Sequence, residues 1–391
     1  MHKNIPVAVF EIAESGHISD VTEVLNRDHL PIGAISNGTY SAAMLAQWWQ
    51  GRSIPATRSG IKQFLSKIGM DSSIELLSKS MGLSLSDQYW FREQGSQVNW
   101  ENVNFFQNPF TEDVGDMLFG KIHAGEMDLE SPDNTSDGVL MKRWTICDGK
   151  RCLLKSGAVP NNQEPINEVI ASAIMKRVGI EHVEYRFTEE DNRLLSVCED
   201  FVNENTEFVP ATHVINLNRR QKNHSLYQHY VETCADLGVD VVPSLDRMLT
   251  IDYIMLNEDR HFGNFGLIRN ADTLEWIGPA PIFDTGTSLQ CGMDDFEMSV
   301  YHIPECKPFK KNFEEQLKLV SSFEWLDFDA LSDAMSDVKE VIRNASGYLN
   351  EDRSELMSAI LDHRIDMLEY RARGSITSRR GWAGCRRTGP S

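Results

Sequence analysis

At residues 131–138 the chain reads SPDNTSDG, a polar, turn-rich stretch, and the texture differs on its two sides. Downstream, VLMKRWTICDGKRCLLKSGA predicts two strands around Asp148-Gly149, a dipeptide suited to a tight hairpin turn. INEVIASAIMKRVGI then sets Val169, Ile170, Ala173, Ile174 and Val178 on one helical stripe, with Gly179 as its stop. EYRFTEEDNRLLSVCEDFV predicts two more strands, and helical patterns take over from 225 to 256 and from about 308 to 371. That order implies an α+β, bilobal chain: a small β-rich lobe with one helix at 126–205, then a larger helical lobe at 206–371.

Upstream, residues 1–125 read as mainly helical. YSAAMLAQWWQG carries an apolar stripe that Pro55 interrupts, and SGIKQFLSKIG and SSIELLSKSMGLSLSDQYWF are serine-started amphipathic stretches. The last has a faint helix-turn-helix look, turning at Gly82. A net charge of -20 argues against DNA reading, because phosphate binding needs clustered bases. Trp48 and Trp49 are expected in a core or on a docking face. The end of the chain is different: from Arg371 it holds six arginines and no acid, and 372–391 reads as a basic, disordered tail. No run is apolar enough to cross a bilayer, and the start lacks a secretory core. Seven cysteines without CxxC pairing, and no His/Cys set at zinc spacing, fit a reduced, cytoplasmic protein.

Chemistry concentrates at NEDRHFGNFG, 257–266. Asp259 and Asn264 lie there, and FGLIRNADTLEWIGPAPIF reads as a hairpin turning at Asn270-Ala271-Asp272. A hairpin returns its ends to adjacency, so Asp284 of FDTG is expected back near Asn264 and Asp259. Two carboxylates and an amide oxygen are hard ligands, suited to Mg²⁺ or Ca²⁺. Such a set serves phosphoryl transfer: one carboxylate deprotonates a hydroxyl while an amide and a second carboxylate hold metal. Lys155 ends the strand RCLLK, and Glu168 in the first turn of the next helix could pair with it. Arg260 is expected to satisfy a neighbouring carboxylate, and His261 to support the loop by hydrogen bonds. The loop at 131–138 is no GxGxxG, and no GxxxxGK[ST] occurs.

DRHFGN followed by IFDTG resembles the catalytic and metal loops of the protein-kinase-like superfamily. The D-R-H-x-x-N order is similar to that of phosphoinositide kinases and of HipA-type bacterial toxin kinases. LLKSGA after SDGVLMKRW, then NEVIASAIMKRVGI and CEDFV, favour the second group. LPIGAISNGTYSAAMLAQWWQGRSIPATR also resembles the extra N-terminal region of such proteins, so 1–125 is expected to be a HipA-type N-terminal region. The resemblance spans about 130–345 well and the first 125 residues loosely. It implies an ATP- and Mg²⁺-dependent serine/threonine protein kinase, with Asp259 as base and Asn264 and Asp284 as metal ligands. It implies Lys155 at the nucleotide phosphates, Glu168 as its helix partner, and Glu199, Asp200 and Phe201 as the hinge against adenine, through backbone groups. In this family a serine of the phosphate loop can be autophosphorylated; Ser131, Thr135 and Ser136 are the candidates here. It further implies a toxin whose partner is a DNA-binding antitoxin protein, with no direct nucleic-acid or membrane binding by this chain. Two competing readings are a lipid or small-molecule kinase of the same superfamily and a non-catalytic pseudokinase scaffold.

Overall fold

The computed structural model describes residues 1–121 and 125–383. It divides into two compact units: Met1–Pro165 with Val183–Val241 and His261–Phe283, and Ile166–His182 with Val242–Arg260 and Asp284–Ser391. Among the described residues no helix is long and apolar enough to cross a membrane. The cysteines described are all free.

The centre of the first unit is a four-stranded antiparallel sheet. Its order is Lys142–Cys147, Lys150–Lys155, Arg193–Glu199, Tyr185–Glu190. Asp148 (φ 51) and Gly149 (φ 81) make the first turn, the doubly positive φ that a two-residue hairpin needs. One face is apolar, with Cys152, Leu154, Leu195 and Val197 packed with Phe119. The two-residue period of a strand puts Lys155 on the opposite face, directly across from Ser196.

A second sheet pairs Gly266–Asn270 with Thr206–Pro210 on one side and Trp276–Pro279 on the other. The Asn270 side chain accepts from the amides of Asp272 and Thr273 at 2.9 and 2.8 Å, which builds the expected turn. The Ala280 amide donates to Gly266 O at 3.0 Å, so the hairpin does bring its ends together. Position 266 must be glycine, since a Cβ there would meet Val209 O at 2.2 Å.

The start of this unit differs from the helical expectation. Ala8–Ile12 pairs with Ile18–Val24, and Ile35–Ser36 with Thr39–Tyr40, before the first long helix. Valine, isoleucine and threonine dominate 18–24, and Gly16 at φ 81 turns the chain. Helices follow at Ala42–Gln50, Ile61–Ile68, Ile74–Lys79, Trp100–Val103 and Asp113–Leu118. Ser41 caps the first by accepting from Met44 N at 3.2 Å. Trp49 is buried, 3% exposed, its indole donating to Gly16 O at 2.9 Å, so it is core.

The second unit is helical. Glu164–Arg177 buries Ile166, Ile170, Ala171, Ile174 and Met175, while Val169, Ala173 and Val178 of the expected stripe are only half-buried. The helix is covered on more of its circumference than a single stripe provides, because Asn167 and Glu168 are buried as well. Val242–Met255 is buried continuously from Leu245 to Met255, apart from Arg247. Phe313–Leu317, Phe328–Asn344 and Glu351–Ala383 complete the unit. The last helix runs through Ala383, into the stretch expected to be a disordered tail. No proline lies between Glu351 and Ala383, so nothing in the backbone stops propagation; residues 384–391 fall outside those described.

Candidate active site

In the second unit the site is organised around a buried guanidinium. The Arg260 side chain has no exposure, and neither has that of its partner Asp252, on the Val242–Met255 helix. Arg260 Nε donates to Asp252 Oδ2 at 3.0 Å, and a terminal nitrogen donates to Oδ1, also at 3.0 Å. Asn257 donates to Asp252 Oδ1 at 2.9 Å, and its own oxygen accepts from the Asp259 amide at 3.0 Å. Burial works against the charge on Arg260, but Asp252, and behind it Asp284 and Glu168, outweigh burial and hold its pKa above the usual value. Removing Asp252, the carboxylate bonded to Arg260, would strand a buried charge, at about 3–5 kcal/mol. Arg260 thus satisfies a neighbouring carboxylate, as the sequence suggested. Asp252 was missed, although an acid inside MLTIDYIML was the available signal.

Asp284 follows Phe283 with φ 59, a left-handed conformation that aspartate tolerates better than most residues. The turn it opens is tied to the Glu164–Arg177 helix. Glu168 Oε2 accepts from the Thr285 amide at 2.9 Å and from the Thr285 hydroxyl at 3.0 Å. Asn167 Nδ2 donates to Gly286 O and Ser288 O, each at 2.8 Å. So adjacent side chains of one helix set the conformation that presents Asp284. Asp259, by contrast, is exposed: 44% of its side chain is accessible, and Lys307 Nζ lies 2.7 Å from its Oδ1.

The first unit carries the other candidates. Lys155 is buried, donates to Tyr185 Oη at 3.1 Å, and lies 5.1 Å from that ring's centre. An ammonium over an aromatic face is attracted by the ring's negative centre. Asn264 is buried, in a turn where its amide donates to His261 O at 2.9 Å. His261 Nδ1 accepts from the Gly263 amide at 3.0 Å, the supporting part expected of it. Glu199 is exposed and pairs with Lys150 at 2.6 Å. Asp200 Oδ1 accepts from Val202 N at 3.0 Å, and burial, with Glu199 adding to it, pushes its carboxyl well above the ordinary range. Phe201 packs against Phe208 and Phe283, with ring centres 5.6 and 5.2 Å away.

The three hydroxyls of 131–138 are already engaged. Ser131 is buried and exchanges hydrogen bonds with Asp133, capping a short turn at Pro132–Thr135. Thr135 donates to Pro132 O at 3.1 Å and to Leu83 O at 3.3 Å. Ser136 donates to Asp133 O at 2.7 Å and accepts from Arg58 at 2.8 Å. Arg58 also donates to the carbonyls of Ser136, Asp137 and Gly138. Burial lowers the Arg58 pKa to about 10 and raises that of Asp133 to about 7.

Within the second unit, then, the fold gathers Glu168, Asp284 and Arg260, with Asp259 one residue from Arg260. Lys155, Asn264, the 199–201 segment and the three hydroxyls belong to the first unit. Tyr185, Asn167 and Thr285 carry no motif and are ordinary residues until their partners are known.

No family model matches the chain. Serine/threonine-protein kinase CtkA of Helicobacter pylori is 25% identical over 247 residues, covering 53% of this chain and 72% of CtkA. The crystal structure of that kinase superposes with a TM-score of 0.45 at 23% identity, over 59% of this chain and 91% of CtkA's. HipA of Shewanella oneidensis MR-1, solved with HipB and operator DNA, has a TM-score of 0.53 at 10% identity, over 94% of this chain and 95% of its own. The last shows a common fold along almost the full length. The chain is thus similar in sequence to a serine/threonine-protein kinase and shares its fold with HipA.

Proposed function

We propose that this kinase transfers the γ-phosphoryl group of ATP, with Mg²⁺, to a serine or threonine hydroxyl of a protein. The observation that carries the reading is the buried Arg260 set, which orders Asp252, Glu168 and Asp284 while leaving the adjacent Asp259 open to solvent. A scaffold with no chemistry to perform has no need of an exposed carboxylate on so heavily wired a loop.

The donor chemistry fits the metal: Asp284 and Asn264 offer hard oxygens, and magnesium takes few protein ligands when phosphates supply others. Those two side chains would hold it. Lys155 would bear on the phosphates, with Glu168 steadying the Asp284 turn through Thr285 and standing as the helix partner that the family resemblance implies. The backbone of Glu199 to Phe201 would receive adenine, and 131–138 would form the phosphate loop. Bound magnesium supplies charge neutralisation for the transferred group. Asp259 takes the acceptor's proton. The acceptor oxygen bonds to the γ-phosphorus, and the bond to the β,γ-bridging oxygen breaks, its electron pair leaving on ADP.

The HipA relative forms a complex with HipB and operator DNA. By extension this chain acts as a toxin component held by a DNA-binding antitoxin, and its charge of -20 suits a basic partner protein. The test of the site is direct. Asp259→Asn and Asp284→Asn should each reduce transfer from labelled ATP to background, with circular dichroism and melting unchanged. Wild-type transfer by either variant would remove the assignment.

A further inference from the structure

Lys307 is bonded to Asp259, and no motif announced it. Its Nζ lies 2.7 Å from Asp259 Oδ1, with 55% of the lysine side chain and 44% of the aspartate exposed. Both residues lie in the same unit, and 48 positions separate them. An exposed ion pair contributes little to stability, since water and salt screen it. The main chain of Lys307 has its own anchor. Gln316, 2% exposed, donates to Lys307 O at 2.6 Å and accepts from the amides of Phe309 and Lys310 at 3.1 and 3.2 Å. Next to it, the Cys306 amide donates to Lys311 O at 3.0 Å. The loop is therefore built without the lysine side chain, and the ammonium is left over for Asp259.

We infer that Lys307 is a positioning residue for phosphoryl transfer: its ammonium fixes the orientation of the Asp259 carboxylate. This rests on the reading of Asp259 as the base. A carboxylate on a solvent-facing loop rotates freely unless a donor holds it. A base that must meet a hydroxyl within hydrogen-bond distance loses rate when its orientation is averaged. The contribution is made in the transition state, so it belongs to kcat and not to nucleotide affinity.

The experiment uses the full-length protein, [γ-³²P]ATP with Mg²⁺, and dephosphorylated casein as acceptor, with ATP affinity measured separately by calorimetry. Lys307→Ala should lower kcat by about 10- to 100-fold, while the KM for ATP stays within about twofold and Tm is unchanged. Lys307→Arg, which keeps the charge and a donor, should recover most of the loss. A Lys307→Ala protein with wild-type kcat overturns the inference, as does one whose loss Lys307→Arg does not relieve. Asp259→Asn run in parallel separates the two claims. If it retains full transfer, the base assignment itself has failed; if it is inactive while Lys307→Ala is fully active, only the role of Lys307 has.

Discussion

At the scale of residues, burial decides what an ionisable group does here. Asp259 and Asp252 belong to one loop-and-helix system, yet one is 44% exposed and the other completely covered. The first is available for chemistry, and the second is structural, neutralised by Arg260. Asp133 shows a further outcome. Burial raises its pKa to about 7, against the opposing pull of the Trp144 amide and of Arg58. The folded state therefore holds this proton more tightly than the unfolded chain does. Its contribution to stability is present below pH 4 and is lost as the pH rises towards 7. Replacing Asp133 by Asn, which copies the protonated form, should flatten that limb; melting temperatures between pH 4.5 and 7.5 would show it. A variant with the wild-type slope would mean that Asp133 does not titrate in this range.

Among elements, the 131–138 loop is the most informative. Its composition promises mobility, yet Arg58 donates to Ser136 Oγ and to the carbonyls of residues 136, 137 and 138. Substituting Arg58 by Ala should cost on the order of 3 kcal/mol, the sum of several buried hydrogen bonds to a charged donor. The loss should show locally, as faster amide exchange across 131–138, with weaker nucleotide binding. Uniform exchange across the first unit would contradict this. The hairpins at 142–155 and 266–279 were legible beforehand because positive φ at Asp148-Gly149 and Asn-Asp turn chemistry leave few alternatives. The strands at 8–24 were not. Their burial pattern lacks clean alternation, so neither a period of two nor one of 3.6 stands out. The run of helix past 371 was missed for a related reason: arginine-rich composition says little about whether an existing helix continues.

For the molecule as a whole, function and stability should be linked through the nucleotide. If Asp284 and Asn264 hold magnesium with ATP, the nucleotide at a hundredfold excess over Kd should stabilise the fold by about 2.7 kcal/mol. Calorimetric scans should show the gain with Mg²⁺ present, and Asp284→Asn should lose it. An equal gain without metal would argue against magnesium at this aspartate. What the linear chain determined by itself was the order of elements from the 142–155 hairpin to the 266–279 hairpin, and the groups proposed to carry chemistry: Lys155, Asp259, Asn264 and Asp284. Turns, periodicity and residue type are local properties, and local physics is enough to read them. Tertiary structure alone decided the partners: Asp252 for Arg260 at a separation of 8, Tyr185 for Lys155 at 30, Lys307 for Asp259 at 48. Charge and hydrogen bonding act through space over a few ångströms, and only the folded backbone sets which distant residues come within that reach.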